Sequence, residues 1–205
     1  DRLPETATAC TLGLADRMDT LVGIFGIGQP PTGSKDPFAL RRTSLAVLRI
    51  LVEKNLDLDL RECLELAASQ YPENIISTGT SELVLEYMIE RFRAWYEEAN
   101  IPAEIFKAVS ARKLSRPLDI HRRVQAVHAF SLLPQAQALA AANKRVSNIL
   151  GKLDSAHSFG DVNANLLVEP QEKALAARLE ELATSCRTYL ARDEYTEALT
   201  CLAGL

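Results

Sequence analysis

Nine lysines and arginines, and only one acidic residue, fall between residues 107 and 152. Arg112, Lys113, Arg122, Arg123, Lys144 and Arg145 belong to this block, and Asn148 joins them. Together these residue types do recognition chemistry, with no covalent step. Cations neutralise phosphate, an amide reads a base edge, and an arginine plane stacks on an unpaired base. At 100° per residue, Lys144 and Asn148 lie one helical turn apart, with Arg145 flanking them. Arg122 points away from the apolar side of its helix, and Arg123 shares a flank with Phe130. His121 and His128 stack seven apart on the other flank. Asn143 faces partly inward and reads as a structural amide, and Phe130 reads as core. The bland alternative is that neighbouring helices fold acidic faces over the block. A second surface is Tyr87 with Arg91, four apart on the edge of another helix.

Covalent and metal chemistry find less support in the sequence. Asp16 and Asp19 sit in LADRMD, which resembles the last helix of HD-type phosphohydrolase domains. A catalytic metal needs several converging ligands. The three histidines, His121, His128 and His157, all lie past residue 120. No catalytic or metal-binding residue is therefore assigned. The glycines of Gly23–Gly28 and the Gly33-Ser34-Lys35 step do not follow the order GxxxxGK[ST] of a phosphate loop, and a helix precedes them. They read as a connector. Cys10, Cys63, Cys186 and Cys201 show no CxxC spacing and read as buried thiols of a reducing compartment.

Every long segment that must position these residues reads as helix. The first spans Pro4–Gly23. A loop over Gly26–Lys35 follows, and Asp36 with Pro37 opens a second helix as N-cap and first residue. Its LAVLRILV run is apolar on most faces, as a buried helix requires. A short helix near Leu60–Ser69 leads to a turn-rich connection, Tyr71–Gly79. The helix Ser81–Glu98 then puts Leu85, Met88, Phe92 and Trp95 on one broad apolar face. Helices are predicted at Ile101–Ala111, Leu118–Leu132 and Gln135–Leu150. Leu139, Val146 and Ile149 form the predicted core face of the last of these, as Val124 and Val127 do in the one before. A polar loop, Asp154–Asn165, precedes helices at Pro170–Leu190 and Glu194–Leu202. The expectation is an all-α helical bundle.

Charge is uneven. The chain carries −4 in total, yet residues 107–152 carry +8 and residues 53–106 carry −8. A concentrated basic block in an acidic chain suits a local polyanion site and limits nonspecific nucleic-acid binding. No apolar run reaches the ~18 residues of a membrane span. The N-terminus lacks the pattern of a signal peptide. A cytoplasmic fragment of a longer protein is expected, with no membrane and no DNA partner.

The stretch LADRMDTLVGIFGIGQPPTGSKDPFALRR (Leu14–Arg42), with RVQAVHAF (Arg123–Phe130) and LAAANKRVSNIL (Leu139–Leu150), carries a close resemblance. It is similar to the β subunit of the two-subunit bacterial glycyl-tRNA synthetase. The resemblance implies the end of an HD-like helical domain over residues 1–75. It also implies an anticodon-binding helical domain of the arginyl-tRNA synthetase type over 76–205, truncated at its C-terminus. The implied role is recognition of tRNA(Gly) through its anticodon arm, so that the α subunit attaches glycine using ATP. The resemblance also implies an α2β2 heterotetramer, with ATP and Mg in the α subunit and no cofactor here. The basic block and its outward helix faces place the tRNA contacts on Arg112, Lys113, Arg122, Arg123, Lys144, Arg145 and Asn148, with Tyr87 and Arg91 as second choice. An HD-type metal-dependent phosphohydrolase fragment and a helical protein-interaction scaffold are the alternatives.

Overall fold

A computed structural model describes residues 2–72, 74–152 and 162–204. Among them the secondary structure is helical, apart from an isolated Thr32–Lys35 bridge. The chain divides into two compact units, residues 1–124 and 125–205. The expected boundary at residues 75 and 76 falls inside the first.

In the first unit, α1 (Ala7–Gly26), α2 (Leu40–Glu53), α3 (Leu60–Ala68) and α4 (Thr80–Glu98) pack around one core. Leu21, Val22, Val47, Leu48, Leu51, Leu64, Met88 and Phe92 are fully buried there. α2 touches both α1 and α4, which is why its LAVLRILV run is apolar on most faces. α5 (Ala103–Ser110) packs on α4. α6 (Pro117–Ser131) opens in the first unit and ends in the second.

Two helix starts differ from expectation. α1 begins at Ala7, where the Thr6 hydroxyl accepts a hydrogen bond from the Ala9 amide at 3.2 Å. α2 begins at Leu40, four residues after Asp36. Asp36 still caps it, but from upstream: its two carboxylate oxygens accept from the amides of Leu40 and Arg41 at 2.8 and 3.0 Å. The cap chemistry is the one a carboxylate supplies at a helix start. Pro37 and Phe38 form a turn outside the helix.

The second unit holds the end of α6, α7 (Pro134–Leu150), a 3-10 turn at Ala164–Leu166, α8 (Pro170–Leu190) and α9 (Tyr195–Leu202). Most of the expected loop Asp154–Asn165 lies outside the described residues, as does His157. α8 starts with Pro170, and the Glu172 carboxylate accepts from the Glu169 amide at 3.1 Å. Asp193, at φ 57°, turns the chain back so that α9 packs against α8.

The predicted core face of α7 is corrected. Ala136 is its one buried residue, Leu139 is half-buried, and Val146 and Ile149 are 51% and 58% exposed. Asn143 is exposed too, so it is no buried structural amide. In the first unit Leu85, Met88, Phe92 and Val124 are buried as expected and Trp95 is half-buried; Val127, in the second unit, is half-buried too.

Candidate nucleic-acid interface

The basic residues fall into three groups. The first follows α5. The amides of Arg112 and Lys113 close the turn by donating to the carbonyls of Val109 and Ser110, and Lys113 takes a left-handed φ of 50°. Both side chains are exposed. Lys113 borders a cleft of about 210 Å³ that Glu82, Glu86 and Glu90 of α4 also line. It therefore faces carboxylates as well as solvent. Arg112 has no ion-pair partner among the described residues.

The second group lies on α6, and here the acidic neighbours have been used. Arg123 donates from Nε to Asp119 at 3.0 Å, one turn back. Arg122 donates to the Asn55 side chain at 3.1 Å, across 67 residues of sequence. Arg116, of the same basic block but outside the seven, binds Asp57 at 2.8 Å and donates to its carbonyl. The Asp57 carboxylate raises the Arg116 pKa. Asp59 accepts from the Arg61 amide at the start of α3 and from the Ser115 hydroxyl at 2.8 Å. The loop before α6 is thus tied to the loop before α3. Such exposed or part-exposed pairs add little stability each, but they occupy the cations. These long-range partners leave no local signature in the sequence.

The histidines of α6 do not face outward as a set. His121 stacks with Trp95 and Tyr96 at ring-centroid distances of 5.8 and 5.9 Å, and its Nδ1 pairs with the Tyr96 hydroxyl at 3.2 Å. Burial lowers its pKa and raises that of Tyr96, so both rings are neutral. The His128 Nδ1 is buried without a hydrogen-bond partner among the described residues.

The third group is on α7. Lys144, Arg145 and Asn148 are all exposed, within one 100° arc, and the two cations have no ion pair among the described residues. Arg112, Lys113, Arg122 and Arg123 lie in the first unit, and Lys144, Arg145 and Asn148 in the second.

The second-choice pair is an edge of the first unit's core. Tyr87 packs on Phe25 at 5.1 Å between ring centroids, and the Arg91 guanidinium lies 5.0 Å over the Tyr87 ring. The Tyr87 hydroxyl and Arg91 Nε are buried without hydrogen-bond partners among the described residues. Burial raises the Tyr87 pKa, partly offset by Arg91.

Asp16 and Asp19 are exposed on α1. Among the described residues no group of three or more His, Cys, Asp or Glu side chains converges as metal ligands would. Nor is any helix there long and apolar enough to cross a membrane.

The sequence model of the family described as "Glycyl-tRNA synthetase beta subunit" matches residues 1–111. Similarity to individual relatives runs the whole length. The chain is 51% identical over 205 residues to the protein named glycine–tRNA ligase beta subunit of Hahella chejuensis, and covers 30% of it. It is 51% identical to that of Marinobacter nauticus, covering 29%, and 52% identical to that of Chromohalobacter salexigens, covering 30%. The full chain is matched in each case, so it spans a little under a third of these relatives. On the family match over its first 111 residues, this chain belongs to the glycyl-tRNA synthetase beta subunit family.

Proposed function

We propose that this chain is the tRNA-handling part of a glycine–tRNA ligase β subunit. It recognises tRNA(Gly), through its anticodon arm, so that the α subunit attaches glycine with ATP. Residues 76–205 act as the anticodon-binding part, and 1–75 end an HD-like part. The whole enzyme assembles as an α2β2 heterotetramer in the cytoplasm. The relatives' names support the reaction. The observation that carries the RNA role is α7: two cations with no ion pair among the described residues, and an amide, on one exposed arc.

The geometry ranks the seven residues. Lys144, Arg145 and Arg112 are exposed and unpaired among the described residues, and are the first contacts to phosphate. Asn148 offers a donor and an acceptor to a base edge. Arg122 and Arg123 already hold Asn55 and Asp119, so contact with RNA requires exchange of partners. Lys113 works against the glutamates of its cleft. Tyr87 and Arg91 remain the second choice.

Salt-dependent binding of glycine tRNA tests this. Each phosphate contact contributes a slope of roughly −0.7 in log K against log salt for single strands. Lys144→Ala and Arg112→Ala should weaken binding of all RNAs and flatten the slope by about one contact's share. Asn148→Ala should leave the slope alone and reduce discrimination against altered anticodons. Charge-removing variants that bind with the parent's affinity and slope would place the site elsewhere, with Tyr87 and Arg91 next in order.

A further inference from the structure

Cys186 and Cys201 sit on different helices, and their sequence spacing matches no metal or redox motif. The α8–α9 hairpin brings them together. The Cys186 thiol donates to the Ala198 carbonyl of α9 at 3.6 Å, and the Cys201 thiol donates to the Leu182 carbonyl of α8 at 3.9 Å. The two bonds cross one seam in opposite directions. Cys201 is near enough to the Cys186 thiol to add to the rise in its pKa that burial causes. The other two cysteines, Cys10 on α1 and Cys63 on α3, belong to the first unit.

The two thiols differ in access. Cys186 is 7% exposed. Cys201 is half-buried and borders a cleft of about 440 Å³ lined also by Arg178, Leu182, Tyr189 and Glu197. A small polar reagent entering that cleft meets Cys201 first. Burial also raises the Cys186 pKa, which keeps its proton in place and makes it the poorer first nucleophile.

We propose that Cys186 and Cys201 form an oxidisable dithiol that closes a disulfide across α8 and α9 when the chain meets hydrogen peroxide. Cys201, as thiolate, attacks one peroxide oxygen. The O–O bond breaks, hydroxide leaves and takes up a proton as water, and Cys201 becomes a sulfenic acid. The Cys186 sulfur then attacks the Cys201 sulfur. The S–O bond breaks, and a second water departs with the Cys186 proton. Two thiols lose two electrons to one peroxide, which ends as two waters. The bridge fixes α9 to α8 and removes freedom from the unfolded hairpin, so the oxidised second unit should unfold later on heating.

Peptide mapping of the full chain tests the pairing. The chain is treated with hydrogen peroxide, alkylated, and cut with trypsin without reductant. The expected product is Leu179–Arg187 joined to Asp193–Leu205, two hydrogens lighter than the sum and lost on adding dithiothreitol. In Cys186→Ser, dimedone should trap the sulfenic acid at Cys201. In Cys201→Ser, Cys186 should stay unlabelled. Helical circular dichroism confirms that the variants fold, and the parent's map needs no variant. Alkylated thiols at both positions while Cys10 or Cys63 oxidises would overturn the proposal. So would a dominant bridge to Cys10 or Cys63, or dimedone on Cys186 in Cys201→Ser.

Discussion

The helices of the first unit and α7 of the second follow the same apolar periodicity and end in different states. α1 to α4 each bury their apolar faces, and Leu21, Val47, Leu48, Leu51, Leu64, Met88 and Phe92 show no exposure. α7 buries only Ala136, and its row Val146, Ile149 and Leu150 faces outward. Arg49, Arg61, Arg116 and Arg123 of the first unit are each held by an acid, whereas Arg112 of that unit and Lys144 and Arg145 of α7 have no ion pair among the described residues. Burial and pairing belong to a side chain's neighbours, and the pattern along one helix only makes them possible. The buried apolar faces of α1 to α4 stabilise the first unit. α7 holds side chains still available for a partner.

The sharpest way to break this comparison is to remove a ring from the first unit. Phe92 is fully buried and stacks on Trp95 and Tyr96 at 5.5 and 5.3 Å. Phe92→Ala should cost about 3–5 kcal/mol in urea unfolding, from lost transfer energy plus the cavity left behind. A loss below about 1.5 kcal/mol would mean that this core collapses onto the hole and is less rigid than its packing implies.

A smaller effect concerns Gly23, which the sequence marks only as a helix end or loop glycine. α1 in fact continues through it to Gly26, and the glycine is needed for space. A Cβ there would stand 2.6 Å from the Tyr71 hydroxyl, which donates to the Asp19 carbonyl at 3.1 Å. Gly23→Ala should displace that ring and cost about 1 kcal/mol through the lost hydrogen bond, less the gain in helix propensity. Gly23→Ala in a Tyr71→Phe background should cost less, since that bond is already gone. Equal costs in both backgrounds would refute the contact.

What the sequence made legible follows from how local the cause is. α8 could be read from end to end because Pro170 fixes its start and an unbroken helical pattern runs to Leu190. α2 was misplaced because Asp36 caps it from outside the helix, through two oxygens at once. The candidate site was legible as a basic block. It was not legible which cations would remain available, because Arg116 meets Asp57 and Arg122 meets Asn55 across more than fifty residues. The same distance hid His121. Its place among aromatic rings is set by α4, and nothing within α6 distinguishes it from a surface histidine.

That half-buried histidine gives the first unit a pH dependence. Burial holds the folded pKa of His121 below its usual value, while the unfolded chain titrates near ~6.5. Above that value both states are neutral and its contribution is complete. As the pH falls through ~6.5 the unfolded state takes up a proton that the folded state refuses, so stability declines. His121→Gln should lower stability at neutral pH and flatten the fall between about pH 7 and pH 5 relative to the parent. An unchanged slope would mean that the ring is protonated within the fold.

The smallest expected effect lies on α7 and tests the other half of the comparison. Val146 and Ile149 are 51% and 58% exposed, so little apolar area leaves water when they fold. Val146→Ala and Ile149→Ala should each change unfolding free energy by less than about 0.5 kcal/mol, as surface substitutions do, and alanine's better helix propensity offsets part of any loss. The same changes in a buried stripe cost several times more. The contrast with Phe92→Ala is thus a ratio within one protein, measured by one method. If Ile149→Ala costs more than about 2 kcal/mol, this face is covered in solution. The midpoint then says by what: one that rises with protein concentration points to a second copy, because association stabilises by mass action. A concentration-independent midpoint points to another part of the same chain. A neutral result leaves the face open beside Lys144 and Arg145, where apolar and cationic side chains together would meet a partner.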